Sequence, residues 1–341
     1  MLPMGLSKVC IIGTGSMGTV TALMLQSQGL DVTLWGAFET SVTALIQTRE
    51  NKRHLPGFAI PPEVHITSDL HQAVNDVDLV VSTVPTQHVR SVWERLAPAM
   101  TKPTPIVSMA KGIEIGTLLR PTQILKDTLQ KAGAPIGPLG AISGPTIAEE
   151  LARCLPATVI AASEDEAFAQ ELQKTFTCNW FRVYTLTDLM GVELAGATKN
   201  VIALAAGILD GLQAGNNAKS ALLARGLAEI LRLGTAMGAD HDTFFGIAGI
   251  GDLATTCFSP TGRNRSCGEK LGQGQTTQQI LDSSNDVVEG IPTTQAVMQL
   301  AQQYNVEMPI TQAVHRVLFE NLDPITAISQ LMNRELKSEQ V

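Results

Sequence analysis

Val9-Cys10-Ile11-Ile12-Gly13-Thr14-Gly15-Ser16-Met17-Gly18 decides the fold of this chain. A run of buried-strand character ends in a glycine, and helix-forming sequence takes over at residues 19–28. The three glycines are spaced G-x-G-x-x-G, and each has its own reason. Gly13 permits a tight turn, Gly15 lets backbone come close to a pyrophosphate, and Gly18 allows the helix to pack closely on the strand. The helix N-terminus that follows attracts an anion. The same spacing also fits a glycine-rich turn that packs for its own sake. What tips the reading to a dinucleotide loop is that it follows the first strand of a βαβ series.

That series continues outward. Residues 32–35, 79–84, 106–109, 140–143 and 158–162 are short, apolar and largely β-branched, as strands buried on both faces of a parallel sheet are. Beyond residue 188 the character changes. Residues 192–212 and 218–237 read as long helices rich in Ala and Leu; 289–304, 311–321 and 323–336 read as shorter amphipathic ones. The expected architecture is an α/β, Rossmann-like dinucleotide-binding domain over 1–187, followed by an all-α substrate domain over 188–341. The join near 184–188 is tight, and the cleft between domains is where an active site is expected.

Composition narrows the function. With 44% hydrophobic and 16% charged residues the chain is globular, and a net charge of −8 argues against wrapping nucleic acid. A few buried cations still suffice to hold a small anion. The five cysteines, Cys10, Cys154, Cys178, Cys257 and Cys267, form no CxxC pair and read as reduced thiols of a cytoplasmic protein. Residues 1–8 lack the pattern of a secretory signal, and the apolar run 201–209 is too short for a membrane span. His241, between two aspartates, has no second histidine at helical spacing, so no metal site is expected. No G-x-S-x-G elbow supports a serine hydrolase.

Chemistry-bearing residues stand out against this apolar background. Lys199 and Asn200 interrupt an apolar helix, where a buried Lys needs a partner and the alternative is a side chain that snorkels to water. Asp252 sits in Gly249-Ile250-Gly251-Asp252-Leu253, as either a functional acid or a helix cap. Arg263-Asn264-Arg265 lies in a Ser/Pro/Gly loop, as solvated charge or as a guanidinium fork for a phosphate. At the end of the second strand, Trp35-Gly36-Ala37-Phe38 offers neither the acid that would hold ribose hydroxyls nor the base that would meet a 2′-phosphate. Glu39, Arg49, Lys52 and Arg53 lie farther on. NAD and NADP both remain open.

Taken in order along the chain, these segments resemble the bacterial-type NAD(P)-dependent glycerol-3-phosphate dehydrogenases. The landmarks are the glycine loop, Arg49-Glu50-Asn51, His54-Leu55-Pro56-Gly57, Val84-Pro85 and Lys111-Gly112-Ile113-Glu114. They continue with Ser143-Gly144-Pro145-Thr146-Ile147-Ala148-Glu149, Gly191-Val192-Glu193-Leu194 and Lys199-Asn200-Val201-Ile202. Gly249 to Leu253, Arg263-Asn264-Arg265 and Val287-Val288-Glu289-Gly290 complete the set.

The resemblance implies a reversible hydride transfer between NAD(P)H and dihydroxyacetone phosphate, giving sn-glycerol 3-phosphate, the backbone of glycerophospholipids. It implies that Lys199 is the catalytic acid/base and Asp252 its orienting partner or a substrate contact. Lys111, Gly144 and Thr146 would touch substrate, while Arg263 and Asn264 would grip its phosphate. Gly13, Gly15, Ser16, Met17, Gly18, Lys111, Ala148, Arg263, Val287 and Glu289 would touch the nucleotide, and a homodimer is reasonable.

Three positions depart from the family: Met17 replaces a usual Trp, Gly262 a usual Ser, and Ala37 an often basic residue. Two other readings carry the same Rossmann-plus-helical plan. One is a ketopantoate- or 6-phosphogluconate-type reductase, and the other is a nucleotide-binding redox sensor without turnover.

Overall fold

The computed structural model describes residues 6–283, 287–336 and 338–339. The N-terminal reading that falls on residues 1–5 lies outside them. Two compact units are present: Met1–Ala110 with Pro121–Leu189, and Lys111–Arg120 with Met190–Val341.

The first unit is built on ten strands. They are β1 (Lys8–Ile12), β2 (Asp31–Trp35), β3 (Glu50–Asn51), β4 (Leu55–Ala59), β5 (His65–Thr67), β6 (Leu79–Ser82), β7 (Ile106–Ser108), β8 (Leu139–Ser143), β9 (Ala157–Ala162) and β10 (Phe181–Leu186). Eight of them form one sheet in the order β10-β9-β8-β7-β6-β1-β2-β5, and β3 and β4 make a separate hairpin. The covering helices are α1 (Ser16–Ser27), α2 (Glu39–Thr48), α3 (Leu70–Val74), α4 (Thr86–Leu96), α5 (Pro121–Lys131), α6 (Ala148–Ala152) and α7 (Glu166–Phe176). Ile11, Val32, Leu34, Leu79, Val81 and Val107 are fully buried, which is why their strands read as continuous apolar runs.

The chain goes from β1 to β2 on one side, then crosses to lay β6 on the other side of β1. The register pairs Ile12 with both Trp35 and Ser82, and Ser82 with Ser108, so these strands finish at one edge of the sheet. That reversal beside β1 opens a crevice at the strands' carboxyl ends, where ligands of such sheets bind.

The sheet corrects the expectation in three ways. It is not parallel throughout, because β9 runs antiparallel to β8. The 144–156 connection holds only the short α6 and turns the chain straight back, whereas a parallel neighbour needs a crossover that carries it to the opposite edge. β5, only three residues long, was missed, and so was β10. Its residues alternate buried and exposed from Phe181 to Tyr184, as an edge strand wetted on one face does, so it lacks the continuous apolar signature.

The second unit holds α8 (Leu189–Gly211), α9 (Gly215–Ala236), α10 (Asp252–Phe258), α11 (Arg263–Gly272), α12 (Thr277–Ser283), α13 (Gly290–Gln303), α14 (Pro309–Phe319) and α15 (Pro324–Met332). No strand occurs after Leu186 among the described residues. The last helix stops at Met332, short of the expected 336. α8 is long and apolar enough to cross a membrane, yet 94% of its most apolar window is buried inside the fold, so it is the central core helix.

α8 and α11 lie side by side at backbone contact. A Cβ on Gly268 would sit 2.0 Å from the Leu204 carbonyl oxygen, and one on Gly272 2.5 Å from that of Ile208. Only glycine permits so close an approach. The pairs 204/268 and 208/272 are one helical turn apart, and one turn earlier the same ladder brings residue 264 to residue 200.

Candidate active site

In the first unit the glycine loop leaves the carboxyl end of β1. Gly13 has φ +117°, a conformation that side chains resist, and its N–H donates to the Trp35 carbonyl at 2.9 Å. The Thr83 hydroxyl, just past β6, donates to the carbonyls of Ile12 (3.0 Å) and Gly13 (3.3 Å). A Cβ on Gly18 would lie 1.9 Å from the Gly13 carbonyl oxygen, so its role is internal packing.

Gly15 differs. Its backbone is extended (φ −74°, ψ −177°), and a Cβ there would meet nothing within 4 Å. The protein itself gives no reason for glycine at that position. A pyrophosphate drawn against the backbone does, and α1 begins there with no side-chain cap and no acid in its first turn. The residues therefore fit a dinucleotide. Ser16 opens α1. Met17 packs around a small apolar void with Met24, Met109 and Phe181, where a flexible thioether fills irregular space.

Sequence reasoning missed two supports of this loop. One is Thr83. The second is Asn51, whose buried amide donates to the Thr14 carbonyl (2.9 Å) and the Thr19 hydroxyl (2.7 Å), tying the β3–β4 hairpin to the loop. Phe38, just after β2, is 74% exposed. Arg49 is occupied elsewhere: its guanidinium donates to the carbonyls of Val64 (2.8 Å) and Pro61 (3.3 Å). Lys52 and Arg53 are exposed in the hairpin turn.

Gly144, Thr146 and Ala148 lie together in the return after β8. Gly144 has φ +145°, and a Cβ on it would stand 3.0 Å from the Val159 Cα. Its glycine is therefore already required by the turn itself. The Thr146 hydroxyl donates to the Gly144 carbonyl at 3.2 Å.

In the second unit, Lys199, Asp252 and Lys111 converge. Lys199 is 5% exposed and Asp252 1%, so neither the snorkelling lysine nor the simple helix cap describes them. The Lys199 ammonium donates to Asp252 Oδ1 (2.5 Å) and to the Thr256 hydroxyl (2.6 Å); the Lys111 ammonium donates to Asp252 Oδ2 (2.7 Å). Asp252 and Thr256 are one turn apart on α10, and Lys199 reaches them from α8.

The electrostatics follow from this packing. Burial pulls the Lys199 ammonium down, Asp252 pulls it back up, and Lys111 pushes it down again, leaving it at about 8 instead of 10.5. Burial pushes the Asp252 carboxyl up, but the Lys111 and Lys199 ammoniums outweigh it and hold the group below its ordinary value. Burial raises the neighbouring Cys257 thiol to about 12, so it stays neutral. One carboxylate between two ammoniums leaves a net positive, water-poor cluster, suited to holding a proton against a developing alkoxide.

A chain of amides extends the cluster. Asn200 donates to the Lys111 carbonyl (2.8 Å), Asn264 donates to Asn200 Oδ1 (2.9 Å), and Asn264 Oδ1 accepts from Gly290 N–H (2.9 Å). Arg263, exposed at the start of α11, donates to the Val287 carbonyl at 3.1 Å. Thus 263–264 and 287–290 come together, with Glu289 immediately before α13. Neither Asn200 nor Thr256 was selected from sequence as a site residue, although the uncapped polar break at 199–200 marks the former. His241 Nδ1 lies 3.2 Å from Asp242 Oδ1, its ring packs on Phe245, and no group of metal-binding side chains occurs among the described residues.

Comparison with known proteins places both segments. Residues 8–169 match the family described as NAD-dependent glycerol-3-phosphate dehydrogenase N-terminus, and residues 188–329 match its C-terminus. A glycerol-3-phosphate dehydrogenase [NAD(P)+] of Salinibacter ruber is 46% identical over 333 residues, 98% of this chain and 96% of that one. Another, from Geobacter metallireducens, is 45% identical over 97% of this chain and 98% of its own. The crystal structure of glycerol-3-phosphate dehydrogenase from Coxiella burnetii superposes with a TM-score of 0.91 at 36% identity, covering 97% of this chain and all of that one. On this evidence the chain belongs to the NAD-dependent glycerol-3-phosphate dehydrogenase family.

Proposed function

We infer that this enzyme reduces dihydroxyacetone phosphate to sn-glycerol 3-phosphate with NAD(P)H, reversibly, and so supplies the backbone of glycerophospholipids. The observation that carries the reading is the buried Lys111–Asp252–Lys199 cluster in a chain that matches the family over residues 8–169 and 188–329. The nucleotide supplies the hydride when bound. Gly13, Gly15, Ser16, Met17 and Gly18 would hold its pyrophosphate, and Ala148, Val287 and Glu289 would contact it further along.

The chain's own residues handle the proton and the phosphate. In reduction the Lys199 ammonium gives its proton to the C2 oxygen; in oxidation the neutral amine takes it back. Asp252 fixes the direction of that N–H. Lys111 and the turn at Gly144 and Thr146 would position the substrate, and Arg263 with Asn264 would grip its phosphate. Asn264 already spends one N–H and its oxygen on Asn200 and Gly290, so its remaining N–H is the one for phosphate.

The decisive assay follows NADH or NADPH absorbance with dihydroxyacetone phosphate, in wild type and Lys199→Met. A drop of about 10²–10⁴ in kcat with nucleotide binding intact is expected of a lost acid/base. Full turnover in the folded variant would remove Lys199 from the mechanism. With neither acid nor base at Ala37, the two nucleotides should differ by about tenfold or less, and Ala37→Arg should favour NADPH.

Five unpaired cysteines, three of them buried, suit a reducing cytoplasm. A homodimer through α15 fits its surface. Only Ala327 of that apolar helix is buried, while Ile325 is 64% and Met332 79% exposed, an apolar face that a second copy would cover. Light scattering of Met332→Glu should then give a monomer.

A further inference from the structure

Lys111 is carried by a segment whose far end is anchored by a second buried ion pair. Arg120 donates to Glu193, and both are almost fully buried. Glu193 and Asn200 are seven residues apart on α8, two turns along one face. Asn200 holds the Lys111 carbonyl at one end of the segment, and Glu193 holds Arg120 at the other.

Between these pins the segment is closed on itself. Glu114 N–H donates to the Leu119 carbonyl and Leu118 N–H to that of Glu114, both at 3.0 Å, while the Thr117 hydroxyl donates to the Glu114 carboxylate. Ile113 is fully buried in the core that α8 centres. A short closed loop of this kind moves as one piece, so its anchor at Arg120 and its ammonium at Lys111 are mechanically linked.

A buried ion pair is poor value as a source of stability, because desolvating both charges offsets most of their attraction. Its better-attested use is to fix a register. We propose that the Arg120–Glu193 pair is a positioning device, which by pinning the Lys111–Arg120 segment to α8 keeps the Lys111 ammonium on Asp252 beside Lys199. Neither residue touches substrate; both act through Lys111. The groups that face Lys199 are Asp252, Thr256 and Cys257 from α10 and Lys111 from the segment. Of these, Lys111 is the one the pair controls.

The proposal rests on Lys199 as the titrating proton donor, and the test separates the two ideas. Removing one partner alone strands a buried charge and threatens folding, so the informative protein is the double variant Arg120→Met/Glu193→Leu, for which stability near wild type is expected. Lys199 is followed directly by NMR of ¹³Cε-labelled lysine, assigned with Lys199→Met, and independently through the pH dependence of kcat/KM.

Loss of Lys111 from its place removes a like charge from beside Lys199, so the midpoint should rise by about one pH unit or more, as neighbouring charges command. Lys111→Met should produce the same rise, and the double variant in that background should add nothing, because both act through one contact. A folded double variant with the wild-type midpoint would overturn the proposal, as would shifts that simply add to that of Lys111→Met. Should the NMR midpoint rise while activity on dihydroxyacetone phosphate is absent even in wild type, the positioning role stands and the assigned reaction fails.

Discussion

Replacing Asp252 by Asn tests the proton chemistry most sharply, because it keeps the shape and removes the charge. Burial and the Lys111 charge, against the pull of Asp252, bring the Lys199 ammonium down to about 8. Reduction needs the ammonium, so kcat/KM for dihydroxyacetone phosphate should fall as pH rises through about 8; oxidation of glycerol 3-phosphate needs the amine and should rise through the same point. Asp252 Oδ1 lies 2.5 Å from the Lys199 ammonium and is one of the attractions holding that proton.

A charge pair about 4 Å apart is worth roughly 4 kcal/mol at an effective dielectric constant of 20. At about 1.36 kcal/mol per pH unit that corresponds to about three units, and neighbouring charges shift such groups by about one to three. The Lys111 ammonium stays behind in Asp252→Asn and still repels. Both effects therefore point the same way: the alkaline limb of reduction should move down by about one to three pH units. Oxidation should become nearly flat above neutrality. Paired initial-rate profiles with each substrate measure both limbs. A limb that stays in place, or moves up, would refute the assignment of Lys199 as the proton donor held by Asp252.

Gly15→Ala should leave the melting temperature of the free enzyme unchanged, because its methyl enters open space, yet weaken NADH and NADPH binding about tenfold or more, roughly 1.4 kcal/mol. Gly18→Ala should instead cost about 1–3 kcal/mol of stability by overpacking against the Gly13 carbonyl, and denaturant titration with nucleotide calorimetry distinguishes the two. Arg263 is exposed, so Arg263→Ala should lose a charge-assisted bond of about 1.5–3 kcal/mol and not a desolvated pair, raising KM for dihydroxyacetone phosphate with little change in kcat. Glu229, 1% exposed, accepts from Ile310 N–H, Thr311 N–H and the Thr311 hydroxyl at the start of α14, and burial raises its carboxyl to about 7 from 4.5. The folded protein thus binds more protons than the unfolded chain between those values, so stability should fall as pH rises through that window, by about 3 kcal/mol at most. Glu229→Gln should flatten that slope in urea titrations at pH 5 and 7.

The parts of the fold legible in the sequence are those where one local pattern reports the environment. Ile11, Val32 and Val81 are buried on both faces, so β1, β2 and β6 announce themselves as apolar runs. β10 does not, because its burial alternates at the sheet's edge. The reversal of β9 is set by the shortness of the 144–156 return, which has no signature in β9 itself. The hairpin of β3 and β4 is held by Asn51 reaching Thr14, a contact thirty-seven residues away in the chain.

The candidate site divides along the same line. Gly13, Gly15 and Gly18 are readable because their G-x-G-x-x-G spacing follows a strand and opens a helix, and Lys199 because a cation inside an apolar helix demands a partner. Asn200 was readable only as a polar break beside Lys199, and Thr256 and Arg120 not at all, since each takes its meaning from a residue distant in sequence: Lys111, Lys199 and Glu193. Periodicity cannot reveal such pairings. It does, however, constrain them once one contact is known. Gly268 against Leu204 and Gly272 against Ile208 fix α11 on α8 at a constant offset, and stepping one turn back along both helices delivers Asn264 to Asn200. The amide chain from Lys111 to Gly290 is therefore a consequence of two glycines packed ten residues or fewer from the phosphate-binding candidates. A methyl at Gly268 would push α11 off α8, break the Asn200–Asn264 bond and so loosen Lys111, although it touches none of them.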